Sequence, residues 1–535
     1  MTWILLLWFF AAPQFAHASY GGLDTKTGII NVKELGARGD GVTLETSMLQ
    51  RAIDSCAVSG GEVLVPPGTY LTGSLDLRSN VTIRLLRGAV ILGSRNLSDY
   101  KERQPKIRSY NDYFARFSVF YAERASNIAI TGEGVIDGQG KWFKVAGRER
   151  PIRYMNRPFL LRFAECTNVK VENIRLQNSA MWTQHYFACE NVTIRGISVY
   201  NHANKNNDMI DIDGCRNVII ADCFGDTDDD GITLKSTSER LTENVVITNC
   251  VLSSHCNAIK AGTESTGGFR NIAISNMVVK PSTADSVITG KRGGISAITL
   301  GVVDGGVMEG VTISGVMIDG PEVPLFLRLG NRGRLHYDGA PRPRVGSMRD
   351  VVISNIIARN VGKTGCSVTG IPGHNIENVT LSNIRMSFAG GVSEQPAATP
   401  SEMEDSYPES TMWGNLPAYG FFVRHASAVR FRDCVFSRAA EDVRPAFVID
   451  DVDGIAIDGL RITASAGNDA VIVLSETRTC SISQAFPDGP VNTFVKLQGV
   501  VSSGISITNS DLRNVKTVVG PAGKSADVVL SGNLR

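Results

Sequence analysis

Along most of the chain, apolar and polar residues alternate over four or five positions, break at a turn and begin again. The unit is clearest as Asn-apolar-x-apolar: Asn80-Val81-Thr82-Ile83, Asn127-Ile128-Ala129-Ile130, Asn168-Val169-Lys170-Val171, Asn191-Val192-Thr193-Ile194, Asn217-Val218-Ile219-Ile220, Asn244-Val245-Val246-Ile247 and Asn271-Ile272-Ala273-Ile274. Period-two alternation is the mark of a strand with one buried face. From Asn168 the copies follow at steps of 23, 26, 27 and 27 residues, and weaker ones continue at Val311, Val351, Val379, Val429 and Ile455. A fixed period of this size denotes a solenoid. Short strands with Asn or Gly at the turns, and no helical pattern between them, predict a right-handed parallel β-helix whose coils share one core. One segment breaks the pattern. Leu49, Ala52, Ile53 and Cys56 recur at helical spacing, predicting a helix from Glu45 to Ser59 with Thr43 as N-cap, which would close the open end of the stack.

Three longer steps mark loops that leave the coil: Ser282 to Gly294, Gly330 to Gly346 (with Arg332, Arg334, His336, Arg342 and Arg344) and Gly390 to Gly420. Loops on a rigid scaffold are where specificity is usually built. Composition adds little against this picture: 43% hydrophobic and 20% charged residues with a formal charge of +1 give no electrostatic case for nucleic acid or membrane binding. The 54 glycines fit a turn-rich chain. Met1 to Ala18 holds an apolar run, Ile4 to Phe10, followed by Ala16-His17-Ala18, the small-x-small pattern of a secretory cleavage site. The expectation is a signal peptide over residues 1–18, a single β-helix domain over 19–535, no membrane span, and a secreted or periplasmic location. Cys166, Cys189 and Cys215 hold equivalent repeat positions and are expected to be buried, stacked thiols, while Cys215/Cys223 and Cys250/Cys256 stay open as disulfide pairs.

The chemistry gathers between Asn206 and Ser236. Met209 to Asp213 and Gly231 to Lys235 read as strands, each entered through acids; laying Ile210 over Ile232 stacks Asp208 on Asp230 with Asp229 beside them. Carboxylates that share a small site push one another's pKa values apart, so that one becomes a proton donor and another a base. The next coil adds Asn257 over Asp230, His255 under Asp228 and Lys260 under Thr233. Lys235 and Lys260 flank the acids as partners for a sugar carboxylate, and Trp182 and His185 offer an aromatic platform and a neutral hydrogen-bonding group. Asp-rich loops also suit Ca2+, but lysines this close would compete with a cation, so neither metal nor cofactor is expected.

With these residues the chain resembles glycoside hydrolase family 28, the polygalacturonase family. Gly36-Ala37-Arg38-Gly39-Asp40-Gly41 and Pro66-Pro67-Gly68-Thr69-Tyr70 resemble the family's opening coil, Asn206-Asn207-Asp208-Met209-Ile210-Asp211 its Asn-Thr-Asp-Gly-x-Asp motif, and Asp229-Asp230 its Asp-Asp pair. The resemblance implies an inverting hydrolase of galacturonide linkages in pectic poly- or oligosaccharide, with Asp229 as general acid and Asp208 and Asp230 holding the attacking water. Two family motifs are altered. Gly-His-Gly is matched by Cys256-Asn257-Ala258, and Arg-Ile-Lys has no counterpart near Gly294-Ile295-Ser296-Ala297, leaving Lys260, Lys291 or Arg292 to take its part. Rhamnogalacturonan therefore stands beside ordinary polygalacturonan as an expectation, and the bulky loops after the coil at Asn271 favour chain-end attack. The alternatives are a Ca2+-dependent eliminase on the same fold and a non-catalytic glycan-binding β-helix.

Overall fold

The computed structural model describes residues 28–535 apart from 114, 146, 148–153, 464–468, 500–501 and 521–526. The expected signal peptide lies outside the described residues. The chain forms a right-handed parallel β-helix. Each strand pairs with its equivalent in the coils before and after: Thr167–Glu172 lies between Ser126–Gly132 and Glu190–Arg195, and the pairing continues through Arg216–Ala221 to Thr242–Thr248. In register, Val171, Ile194, Ile220, Ile247 and Ile274 fall in one column, each at most 3% exposed. The weaker copies at Val311, Val351 and Val379 continue the ladder from Ile272. Burying such a side chain contributes about 1.5–3 kcal/mol, and the same gain recurs at every coil.

The asparagines that open each unit turn the corner. Asn168, Asn191, Asn217, Asn244 and Asn271 all have φ between 55° and 58°, a left-handed conformation that asparagine tolerates far better than most residues. Their side-chain amides form a ladder in which each Nδ2 donates to the Oδ1 of the preceding asparagine at 2.9–3.1 Å. The repeat seen in the sequence is thus both a core pattern and a corner pattern.

The one α-helix among the described residues, α1 (Thr46–Ala57), buries Leu49, Ala52, Ile53 and Cys56, the face expected from spacing. Its N-cap is Glu45 and not Thr43. Asp40 accounts for the difference: its carboxylate accepts from the amide and hydroxyl of Thr43, holding that residue in the preceding loop. Glu45 itself turns its carboxylate back to the amides of Arg38 and Gly39. All ten cysteines are buried free thiols, so neither open pairing forms. Cys215 Sγ instead accepts from the Cys189 amide at 3.2 Å, as stacked repeat positions do. The three predicted loops fall between strands, after Val279, Leu329 and Phe388.

Candidate active site

Four successive coils build the site through β1 (Ile210–Asp213), β2 (Ile232–Ser236), β3 (Asn257–Ser265) and β4 (Ser296–Val302). Ile210, Ile232, Ile259 and Ile298 stack in register towards the core, and Asp211, Thr233, Lys260 and Thr299 form the adjacent column. The register inferred from sequence is the one observed. Along the face of the asparagine ladder outward positions such as Lys170 and Ile219 are exposed, but on this face they are buried. Gly231 permits the close stacking, because a Cβ there would meet the Ala258 carbonyl oxygen at 2.3 Å.

A cavity of about 70 Å³ opens over these strands, lined by Asp229, Asp230, Lys235, Lys260, Glu264 and Asn206 together with Trp182, Met181, Tyr110, Tyr154 and Tyr407. A larger concavity of about 770 Å³ runs along the asparagine ladder but holds no carboxylate, so it offers no acid–base chemistry.

Each cavity acid has a distinct environment. Asp230 faces donors: Oδ1 accepts from the Asn257 side-chain amide at 2.7 Å and its backbone amide at 3.2 Å, and Oδ2 from Lys260 Nζ at 2.9 Å. Asn257 is itself oriented by Ser296 and Thr299, whose hydroxyls reach its Oδ1 at 2.8 and 3.0 Å. Asp229 has weaker company, its Oδ1 accepting from the Asp230 amide at 3.0 Å and its Oδ2 from Asn206 Nδ2 at 3.4 Å. Burial first, and then the Asp230 charge, push its carboxyl up to about 6. Asp208 lies beside Asp211, and both meet Lys235 Nζ, at 3.5 and 3.3 Å. Burial raises both carboxyls, Asp211 to about 7, so this pair holds a proton under mildly acidic conditions.

The cations are anchored by the same acids. Burial works against their charge, but Asp230 next to Lys260 and Asp211 next to Lys235 outweigh it and raise both ammonium groups. Lys235 Nζ also lies 4.4 Å from the centre of the Trp182 ring, a cation–π contact, and 3.6 Å from Glu264. Lys260 donates to Tyr407 Oη at 3.2 Å.

Lys235, Lys260, Asp229, Asp230 and Trp182 therefore line one cavity, with Asp208 and Asn257 directly against it. Three expected substrate contacts lie elsewhere. His185 is fully buried beneath Trp182, its ring 5.3 Å away, with Nε2 bonded to Asp213 at 3.0 Å; it supports the platform from below. His255 is fully buried against Asp228, its Nδ1 2.8 Å from Oδ1. Arg292 is exposed on the Ser282–Gly294 loop and donates to the Asp285 carbonyl. In each case a neighbour in space captures a side chain that spacing alone leaves free.

Sequence reasoning missed the walls. Glu264 follows the acids on β3 and bonds Arg334 Nη1 at 2.9 Å; despite burial, Lys235 and Arg334 hold its carboxyl well below the usual range. Arg334 stacks on Tyr110, 4.0 Å from the ring centre, and Arg332 binds Asp304 and the Thr263 carbonyl. Tyr407 arrives from the Gly390–Gly420 loop. The arginines and the loops were visible as candidates, but no periodicity tells where a loop folds back.

The family profile for Glycosyl hydrolases family 28 matches residues 61–403. The chain is 27% identical over 438 residues to a probable polygalacturonase of Vitis vinifera, a match that covers 75% of this chain and 85% of that protein. It is 29% identical over 263 residues to an exo-poly-alpha-D-galacturonosidase of Dickeya chrysanthemi, covering 47% of this chain and 40% of that one. Among solved structures it is similar to the hyperthermoactive exopolygalacturonase of Thermotoga maritima, with a TM-score of 0.55 at 24% identity over 68% of this chain and 87% of that one. A family 28 exopolygalacturonase of Yersinia enterocolitica gives a TM-score of 0.56 at 18% identity, over 85% and 78%.

Proposed function

The chain belongs to glycosyl hydrolases family 28 and is a glycoside hydrolase, and from that premise we propose that it cleaves galacturonide linkages in pectic glycan by an inverting acid–base mechanism. The observation that carries this reading is the contrast between adjacent acids. Asp229 is raised to about 6 with few donors around it, while Asp230 next to it is surrounded by them. The first is suited to give a proton to the departing glycosidic oxygen, and the second to accept one from water. Asp208, whose negative charge is disfavoured by burial and by Asp211, helps to hold the water between itself and Asp230. Inversion requires both tasks in one step, on opposite faces of the sugar.

The ammonium groups of Lys235 and Lys260 on the cavity wall supply the charge that a galacturonate carboxylate seeks, and Trp182 supplies an apolar face for a sugar ring. The proposal includes chain-end attack. The cavity is small, and Arg334, stacked on the lining residue Tyr110 and bonded to Glu264, backs its wall. The names of the Dickeya and Thermotoga relatives point the same way. Export rests on the Met1–Ala18 pattern, and mass measurement of the mature protein would show cleavage after Ala18.

Digestion of polygalacturonate, a methyl-esterified pectin and rhamnogalacturonan, followed by chromatography, tests substrate and mode. Release of free galacturonate from polygalacturonate from the earliest times supports the reading. A ladder of mid-sized oligomers overturns chain-end attack, and activity confined to rhamnogalacturonan overturns the linkage.

A further inference from the structure

A second cluster of chemically active side chains begins one residue before the acid. His202, Asp228 and His255 come from three successive coils at one corner, stacked through the backbone bonds Asp228 N to Asn201 O and His255 N to Thr227 O, each 3.0 Å. One nitrogen of each ring and one oxygen of Asp228 all lie within 4.8 Å of one another. None of the three lines the sugar cavity. His255 is fully buried, and the His202 side chain is only 6% exposed.

The surroundings of the His202 ring are the telling feature. His202 Nε2 donates to Asp226 Oδ1 at 3.0 Å. Its Nδ1 has no hydrogen-bond partner and lies 3.7 Å from Asp228 Oδ1. Burial opposes charge on this ring, but the two carboxylates outweigh it and raise the imidazole, so positive charge is favoured between Nδ1 and Asp228, carried either by a proton or by a metal ion in its place. His255 Nδ1 is 2.8 Å from the same oxygen. Asp226 further accepts from Ser282 Oγ and from the amide and hydroxyl of Thr283, and Asp228 from the amides of Ile288 and Thr289, so both acids tie the Ser282–Gly294 loop to the coil.

We propose that His202 Nδ1, His255 Nδ1 and Asp228 Oδ1 form a binding site for a divalent first-row transition metal, zinc being the representative ion. Two imidazoles and one carboxylate suit zinc and its neighbours, whereas calcium and magnesium take oxygen ligands. Asp226 is the outer carboxylate that orients a metal-bound histidine, the usual second partner of such a ligand. Ligation at His255 Nδ1 moves that ring's proton to Nε2, which has no other partner among the described residues, and ligation at His202 Nδ1 excludes a proton from that atom, so metal and protons compete for the site. The ion would fasten the loop to the residue preceding Asp229; it takes no part in bond cleavage.

The full chain, stripped with chelator and desalted, would be titrated with ZnCl2, with bound zinc measured by elemental mass spectrometry and Tm followed alongside. The expected result is one zinc per chain, a rise in Tm, and at least tenfold weaker binding in His202→Gln and Asp226→Asn. Because the ten cysteines are also potential ligands, Co2+ loading of the wild type gives an independent reading: weak visible bands without an intense thiolate band in the near ultraviolet. No zinc retained, equal retention by wild type and His202→Gln, or a thiolate band overturns the site. Should the variants fail to fold, the stoichiometry and cobalt spectrum of the wild type decide alone.

Discussion

Replacing Asp229 with asparagine should abolish turnover and at the same time stabilise the protein, in a manner that depends on pH. The amide keeps the shape and retains Oδ1 as acceptor for the Asp230 amide. It has no proton to deliver, and loss of a general acid removes about 10²- to 10⁴-fold in kcat. The stability effect follows from the raised carboxyl. With the folded value near 6 against 3.8 for the free group, the folded state binds more protons than the unfolded one between those values, so stability falls as pH rises from about 4 to 6. Two units correspond to roughly 3 kcal/mol at most; the partial exposure of Asp229 reduces this to about 1–2 kcal/mol. For a chain of this length that is a Tm change of about 1–2 °C. Asp229→Asn should therefore melt higher than wild type at pH 7.5 and match it at pH 4. The assay is a thermal-melt series across pH, paired with initial rates on polygalacturonate. A rate within tenfold of wild type in the folded variant refutes Asp229 as acid, and a Tm difference independent of pH refutes burial as the cause of its raised carboxyl.

In the wild type, kcat/KM should decline as pH rises through about 6, where Asp229 loses its proton. Lys260→Met leaves Asp230 without its buried partner and should cost about 3–5 kcal/mol of stability. It should also lower kcat/KM on both galacturonides and their methyl esters, with a further tenfold loss on the charged substrate alone; equal losses would confine Lys260 to holding Asp230. Arg334→Ala frees Glu264 and unstacks Tyr110, so KM should rise several-fold with kcat little changed, whereas a fall in kcat alone would place Arg334 with the reacting groups. In the corner ladder, Asn217→Ala removes bonds to Asn191 and Asn244 and strains a residue at φ 58°, for an expected loss of about 1–3 kcal/mol, and Asn217→Gly should lose less. Equal losses in urea melts would show that the hydrogen bonds alone matter.

The repeat was legible because one residue type at each corner and two apolar positions after it do the same physical work in every coil. That regularity also fixed the stacking of Asp208, Asp230 and Asn257, since a shift of one residue would have turned Ile210 and Ile232 away from the core. What periodicity cannot carry is the competition for a polar side chain once the chain has folded. His185 and His255 read as free groups near the acids, but Asp213 and Asp228 claim them. Arg332 and Arg334 stood in a loop far along the chain from Glu264, 70 residues away for Arg334, and their place near the cavity is set by loop closure, which leaves no pattern in sequence. Thr43 failed as a cap for a local reason, the nearer carboxylate of Asp40.

The central claim is single-step hydrolysis with inversion, and proton NMR of the first product tests it most directly. With trigalacturonate as substrate, the anomeric signal of newly released galacturonate, recorded before mutarotation, should be that of the β-anomer while the starting linkage is α. Appearance of the α-anomer first would establish retention, and an unsaturated product absorbing in the ultraviolet would establish elimination; either would contradict the assignment of Asp229 as acid with Asp208 and Asp230 about the water.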